Sequence, residues 1–297
     1  MKTVGTFAEV RDAAYGSVGF VPTMGYLHEG HVALMLEACR ECDTVVASIF
    51  VNALQFGPGE DLATYPRDLD RDSQLAKRAG VDLLFVPDRD EVYPDDEIAA
   101  VELPDFAGRL EGERRPGHFQ GVATVVELLL TGIAPDRAYF GLKDAQQLAL
   151  VNWLVGARRL STTIVPVSTR REPDGLALSS RNRYLKGESR VAASALSRGL
   201  FQAADAVEAG EADGPTLEGI VSAVVADAAG IELDYAALVT SDRFEPLEKL
   251  EAPAVLAVAA NVSETHLIDN VAFFRGEHGI EVDRGVVLER RSVLEEN

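Results

Sequence analysis

The stretch G-F-V-P-T-M-G-Y-L-H-E-G-H, residues 19–31, decides the fold class of this chain. Its apolar start, residues 18–21, does not alternate with polar residues, which fits a short strand covered on both faces. Pro22 and Gly25 punctuate the exit, and a helix is expected to open near His28. His28 and His31 then stand three residues apart, a spacing that shares a face on a helix. Unpaired N–H groups at a helix start favour anions, so two imidazoles there read as a phosphate site. A metal site and a structural histidine pair are the alternatives. The zinc-protease motif needs i, i+4 spacing, which H-E-G-H lacks.

Working outward, residues 32–42 read as a mostly buried helix and residues 44–51 as a β-branched strand. A loop over residues 52–67 follows, long enough to imply a function. A helix near residues 70–79, Gly80 and the strand V-D-L-L-F-V-P complete an alternation of strands and helices. That order predicts an α/β fold, a Rossmann-like parallel sheet with helices on both faces, whose ligands gather at the strands' carboxyl ends. Residues 88–115 read as irregular, followed by a long helix ending near Ile133. Next come the short strand A-Y-F, the turn G-L-K-D, a helix to Gly156 and a strand over residues 163–167. After the polar loop R-R-E-P-D-G-L-A-L-S-S-R-N-R-Y-L, Ala-rich helices (residues 189–209 and 217–229) precede strands near residues 233–239, 254–260 and 266–274. Two domains are expected, a nucleotide- and acid-binding domain over residues 1–169 and a smaller C-terminal α+β lid domain over residues 170–297 with a charged tail.

The chain has 297 residues, 28 Lys and Arg against 48 Asp and Glu, and a net charge of −20. That balance argues against nucleic acid as a partner, which binds a basic footprint. It requires any phosphate site to be assembled locally. No apolar run reaches the length of a membrane span and no secretory signal is read at the start, so no membrane partner and a cytoplasmic location are expected. Cys39 and Cys42 are spaced C-x-x-C, but there is no second pair, and they are read as reduced packing cysteines.

Ser179, Ser180 and Arg181, with Lys143 upstream, add hydroxyl and cationic donors. With H-x-G-H they resemble the arrangement of the class I aminoacyl-tRNA synthetases and the HIGH-type nucleotidyltransferases. The segments P-T-M-G-Y-L-H-E-G-H, S-I-F-V-N-A-L-Q-F-G, E-D-L-A-T-Y-P-R, G-H-F-Q-G-V-A-T-V-V, F-G-L-K-D-A-Q-Q and D-G-L-A-L-S-S-R-N-R-Y-L go further. In order and spacing they are similar to the pantothenate synthetase (pantoate–β-alanine ligase) family. D-Y-A-A-L-V, F-E-P-L and T-H-L-I-D-N continue the resemblance.

The resemblance implies an AMP-forming ligase that uses ATP with Mg²⁺, works on small-molecule substrates and forms a homodimer. It implies that His28, His31, Lys143 and Arg181 are catalytic, stabilising the reacting phosphate. Met24, Gly141, Asp144, Ser179 and Ser180 would join them around ATP. Met24, Gln55, Phe140 and Gln147 would hold pantoate, and Asn52, Tyr65 and Ala145 are candidates for the amine pocket. No dedicated protein metal site is expected. The 52–67 and 170–183 loops are candidate lids.

Ala53 stands where the family pattern has Pro, Ala145 where it has Tyr, and Leu142 where an acidic residue is frequent. These departures leave two alternatives: a ligase of the same mechanism for another acid or amine, and a nucleotide-binding protein without ligase activity. Tyr65 is read either as a loop cap or as a substrate contact. Arg115 and His118 are read either as fixing the turn before the long helix or as reaching phosphate. Asp72 is read as a solvated helix-start charge in preference to a partner that supports the site from behind, and His266 and His278 as structural or exposed. The tail after Asn270 is longer than the family pattern implies.

Overall fold

A computed structural model describes residues 1–94, 100–277 and 279–293. His278 and part of the stretch expected to be irregular lie outside the described residues. Contact density divides the chain into two units that are not contiguous in sequence. The first is Met1–Leu27, His31–Phe140 and Gln146–Val167, and the second is His28–Gly30, Gly141–Ala145 and Ser168–Asn297.

The first unit is built on a six-stranded sheet in the order β1-β4-β3-β2-β5-β6. Its strands are β1 (Lys2–Val4), β2 (Val18–Thr23), β3 (Thr44–Ile49), β4 (Leu83–Phe85), β5 (Arg137–Gly141) and β6 (Thr163–Val167). β1–β4, β4–β3, β3–β2 and β2–β5 run parallel. The buried Val21, Val45, Ala47 and Leu84 pack with Leu34, Met35 and Ala38 of helix α2 (Glu29–Glu41). β2 leads through α2 to β3 on one side of the sheet, while β5 lies on its other side. That reversal makes the carboxyl end of β2 a topological switch point, where open α/β sheets collect ligands. β1 and α1 (Phe7–Ala13) are elements that the apolar pattern did not single out. α1 is opened by Thr6 and Glu9 acting as a capping box.

α3 (Leu69–Ala79) starts at the Asp68 cap and stops at Gly80, whose φ of 94° an L-residue resists. The expectation of irregular chain over residues 88–115 is corrected by α4 (Arg89–Val92), a 3₁₀ turn at Asp105–Gly108 and α5 (Glu111–Arg114). The side chain of Gln146 ties this region together. It donates to the Phe106 carbonyl at 3.0 Å and the Arg109 carbonyl at 2.8 Å, and accepts from the Glu111 N–H at 3.2 Å. α6 (His118–Ile133) and α7 (Ala145–Arg158) follow the expected pattern.

In the second unit, β8 (Ile231–Thr240), β9 (Ala254–Val262), β10 (Thr265–Gly276) and β11 (Gly279–Asp283) form an antiparallel sheet. Leu196, Leu200 and Ala203 of α9 (Ala195–Glu208) and Leu217, Val221 and Val225 of α10 (Gly214–Ala226) pack on Leu256, Val258 and Val271 of this sheet. The single helix expected from residue 189 is two, α8 (Glu188–Ala193) and α9. They part at Ser194, whose N–H and hydroxyl both bond back to the Val191 carbonyl. The polar loop after β6 holds β7 (Arg170–Arg171) and a 3₁₀ turn at Ser180–Tyr184, and β7 pairs in parallel with β12 (Val286–Val287).

Candidate active site

In the first unit the turn after β2 is clamped by a residue of α3. Gly25 and Tyr26 both have positive φ, 83° and 51°. The carboxylate of Asp72 accepts from the Tyr26 N–H at 2.6 Å and the Leu27 N–H at 2.7 Å. A Cβ on Gly25 would stand 3.1 Å from Asp72 Oδ2. Arg71 lies over the Tyr26 ring, 5.0 Å from its centre. Asp72 is 1% exposed, which corrects its reading as a solvated charge. Helix periodicity places it one turn into α3, but only the tertiary fold brings orphan N–H groups to it. Burial pushes its carboxyl above the usual range, against the two backbone hydrogen bonds and Arg71.

A second cluster surrounds Gln55. Its amide donates to Met24 Sδ at 3.0 Å, and Asn52 Nδ2 donates to Gln55 Oε1 at 3.1 Å. Asn52 is buried, donating to the Gly121 carbonyl at 3.0 Å and accepting from Tyr93 Oη at 2.8 Å. α6 packs directly on this turn: a Cβ on Gly121 would come within 2.3 Å of the Leu54 carbonyl. Gly121 therefore permits the approach that sets the height of Gln55.

His118 donates from Nδ1 to the Gln55 carbonyl at 2.8 Å and accepts at Nε2 from Arg115 at 3.1 Å. Burial first, then the Arg115 charge, push its pKa down to about 4, so the ring is neutral. Arg115 also grips Glu60 with two bonds of 2.8 and 2.7 Å. Burial raises the Glu60 carboxyl, but the bonds and charge of Arg115 hold it below the ordinary range. Both Arg115 and His118 thus fix the 52–67 loop. Tyr65 is buried and packs edge-on to Phe56, with ring centres 5.7 Å apart. Phe140 is buried at the end of β5, and Gln147 is half-buried on the first turn of α7. His31 is half-buried on the first turn of α2.

In the second unit His28 is 7% exposed and accepts at Nδ1 from the Gly30 N–H at 3.1 Å. A neutral ring so held carries its proton on Nε2, as a donor. The Gly of H-E-G-H is explained locally, since a Cβ on Gly30 would lie 2.8 Å from His28 Cε1. Gly141 leads into a 3₁₀ turn at Leu142–Asp144, and the ammonium of Lys143 pairs with Asp144 at 3.2 Å. Ala145, the first residue of α7, is buried. Asn270 Nδ2 holds this turn by the carbonyls of Leu142 at 2.9 Å and Lys143 at 2.8 Å. Asp269 beside it pairs with both terminal nitrogens of the fully buried Arg171, at 2.6 and 2.9 Å.

Ser179 caps the Ser180–Tyr184 turn, its Oγ accepting from the Arg181 N–H at 3.3 Å, while Asn182 donates to the Ala177 carbonyl at 3.0 Å. Ser180 is buried and Arg181 half-buried. Sequence reading missed the positioning roles of Arg171, Asp269 and Asn270. The D-N of T-H-L-I-D-N was their only visible signal. His266 pairs with Asp234 at 3.2 Å, in keeping with a structural role. Both cysteines are free thiols, with Cys39 Sγ on the Ala79 carbonyl at 3.4 Å and Cys42 Sγ on Tyr139 Oη at 3.4 Å.

The model of the family described as pantoate–β-alanine ligase matches residues 1–272. This chain belongs to the pantoate–β-alanine ligase family. A pantothenate synthetase of Pelotomaculum thermopropionicum is 47% identical over 86% of this chain and 90% of its own length. One of Caldicellulosiruptor saccharolyticus is 44% identical over 91% of this chain and 99% of its own. Among solved structures, pantothenate synthetase from Thermus thermophilus superposes with a TM-score of 0.87 at 47% identity, covering 91% of this chain and 98% of that one. Pantoate–β-alanine ligase from Francisella tularensis, complexed with β-γ ATP and β-alanine, gives 0.72 at 34% identity over 91% and 97%. The α/β fold with its antiparallel C-terminal sheet is the fold of this ligase family. The match to the family model stops before the last part of β10, so β11 and β12 lie beyond it.

Proposed function

We propose that this enzyme is a pantoate–β-alanine ligase working through an acyl adenylate. The observation that carries the phosphate chemistry is the Gly30 N–H on His28 Nδ1, which leaves Nε2–H as the donor. High identity with pantothenate synthetases over most of both chains favours pantoate and β-alanine over another acid and amine, despite Ala53, Leu142 and Ala145.

In the first step a pantoate carboxylate oxygen bonds to the α-phosphorus of ATP, and the bond to the bridging oxygen breaks, releasing pyrophosphate. His28, His31, Lys143 and Arg181 stabilise charge on the pentacovalent phosphate, and Ser179 and Ser180 donate to phosphate oxygens. Asp144 and backbone at Gly141 hold the nucleoside, Met24 and Phe140 pack on the acid, and Gln55 and Gln147 bind its polar oxygens. In the second step the neutral amine of β-alanine bonds to the acyl carbon, AMP leaves, and the ammonium proton passes to solvent. Asn52, Tyr65 and Ala145 are assigned to that pocket.

No general base is required, because catalysis here is positioning plus electrostatics. The 52–67 and 170–183 loops exclude water from the labile anhydride, the second within the lid domain assigned to residues 170–297. Among the described residues no group of three His, Cys, Asp or Glu side chains is placed to hold a metal ion. Mg²⁺ is assigned in this reading to the triphosphate it arrives with, where it would offset phosphate charge. No described helix is long and apolar enough to cross a membrane. A cytoplasmic homodimer completes the reading; the two free thiols agree with a reducing compartment.

The test is AMP and pantothenate formation from ATP, pantoate and β-alanine, with pantoate-dependent exchange of pyrophosphate into ATP for the first step. Neither product at millimolar substrate would sink the reading. His31→Ala should lower the exchange rate by roughly a hundredfold or more; an unaffected rate removes its phosphate role.

A further inference from the structure

The chain beyond the family match is tied down at successive points within the second unit. Arg284 pairs with Asp205 at 2.5 Å and Glu208 at 2.8 Å on α9. Gly285 takes a φ of +81°, and a Cβ there would stand 2.6 Å from the Thr169 carbonyl and 2.9 Å from Arg171 Nε. β12 then lies along β7, with the Val286 N–H on the Thr169 carbonyl at 2.7 Å and the Leu288 N–H on the Arg171 carbonyl at 2.8 Å. Arg171 itself donates to the carbonyls of Arg284, Gly175 and Asn270.

The chain after β12 reaches the histidine motif. Ser292 is fully buried and its N–H donates to Glu172 Oε2 at 3.1 Å. Its hydroxyl donates to Glu29 Oε2, and the Val293 N–H donates to Glu29 Oε1 at 2.8 Å. Glu29 is the second residue of H-E-G-H and the first of α2. Both of its carboxylate oxygens are therefore engaged by the tail, in charge-assisted bonds of the stronger kind. Two neutral donors leave the charge of that carboxylate in place but fix its direction, turning both oxygens to the tail. Such bonds also fix the backbone of the turn in which Gly30 grips His28.

We infer that residues 284–293 form a strap in which Ser292 and Val293 hold Glu29 and thereby position His28 for adenylation. The inference rests on the phosphate role given to His28 above. Ser292 and Glu29 are positioning residues, acting through His28.

The experiment compares the full chain with a chain ending at Leu288, which keeps β12, and with Ser292→Ala. Pyrophosphate exchange, the KM for β-alanine, thermal unfolding and amide hydrogen exchange are measured for each. The shortened chain should lose roughly tenfold or more in exchange kcat with its KM for β-alanine unchanged, as expected when a reacting group is misplaced. Amide exchange at residues 28–31 should rise, and Ser292→Ala should show the same changes in part. An unchanged kcat, or unchanged amide exchange at residues 28–31, overturns the strap. If the shortened chain fails to fold, Ser292→Ala decides, and full activity in that variant overturns the proposal. If the full chain itself catalyses no exchange, the functional reading falls, and amide exchange alone decides the strap.

Discussion

Asp72 shows how much one carboxylate can organise. It faces the N–H groups of Tyr26 and Leu27, so the residues that deliver His28 are set by a side chain on another helix. Asp72→Asn keeps one acceptor and turns an NH₂ against the second N–H. It should cost about 1–3 kcal/mol and lower the adenylation kcat, measured by denaturant unfolding and pyrophosphate exchange. His118 carries a pH signature. Its pKa is depressed to about 4 in the folded chain from 6.5, so between those values the unfolded chain binds the extra proton. Stability should hold above pH 6.5 and fall as pH drops towards 4, by about 3 kcal/mol in all. His118→Asn keeps a donor for the Gln55 carbonyl but does not titrate, and its unfolding free energy should be flatter over that window.

At the level of elements, the contact of α6 with the 3₁₀ turn at Ala53–Gln55 governs the Gln55 cluster. Gly121→Ala places a methyl against the Leu54 backbone, which cannot yield as a flexible side chain would. The variant should be destabilised by about 1–3 kcal/mol, and its KM for pantoate should rise more than its KM for ATP. An unchanged pantoate KM would show that the helix does not set Gln55. In the second unit the buried Arg171 joins β7, β10 and the tail through one guanidinium, and Asp269 satisfies its charge. A pair so enclosed defines which strands meet more than it adds to stability, since its desolvation offsets much of its attraction.

For the whole molecule, a charge of −20 and an isoelectric point near 4.6 set solution behaviour. Turbidity should peak near pH 4.6 as self-repulsion vanishes, and it should do so in the range where His118 is already withdrawing stability. At neutral pH the chain should leave the mobility of duplex DNA unchanged in a gel, because its 28 Lys and Arg are outnumbered by 48 Asp and Glu.

The sequence by itself determined the parallel sheet, the succession of helices and the ligase family. Local periodicity and turn chemistry are written in neighbouring residues, and the motifs Met24–His31, Asn52–Gln55, Lys143–Gln147 and Ser179–Arg181 are each contiguous. It did not show β1, α1, the short helices within residues 88–115 or the break at Ser194, where local signals are weak and neighbours in space decide. The supports of the site were beyond its reach for the same reason. Asp72 beneath the Tyr26 turn, Asn270 on the Lys143 turn and Ser292 on Glu29 join residues 45, 127 and 263 positions apart. A hydrogen bond across such a separation leaves no period to read. Only the tertiary structure brings its donor and acceptor together, and with them the strap that ends on the second residue of H-E-G-H.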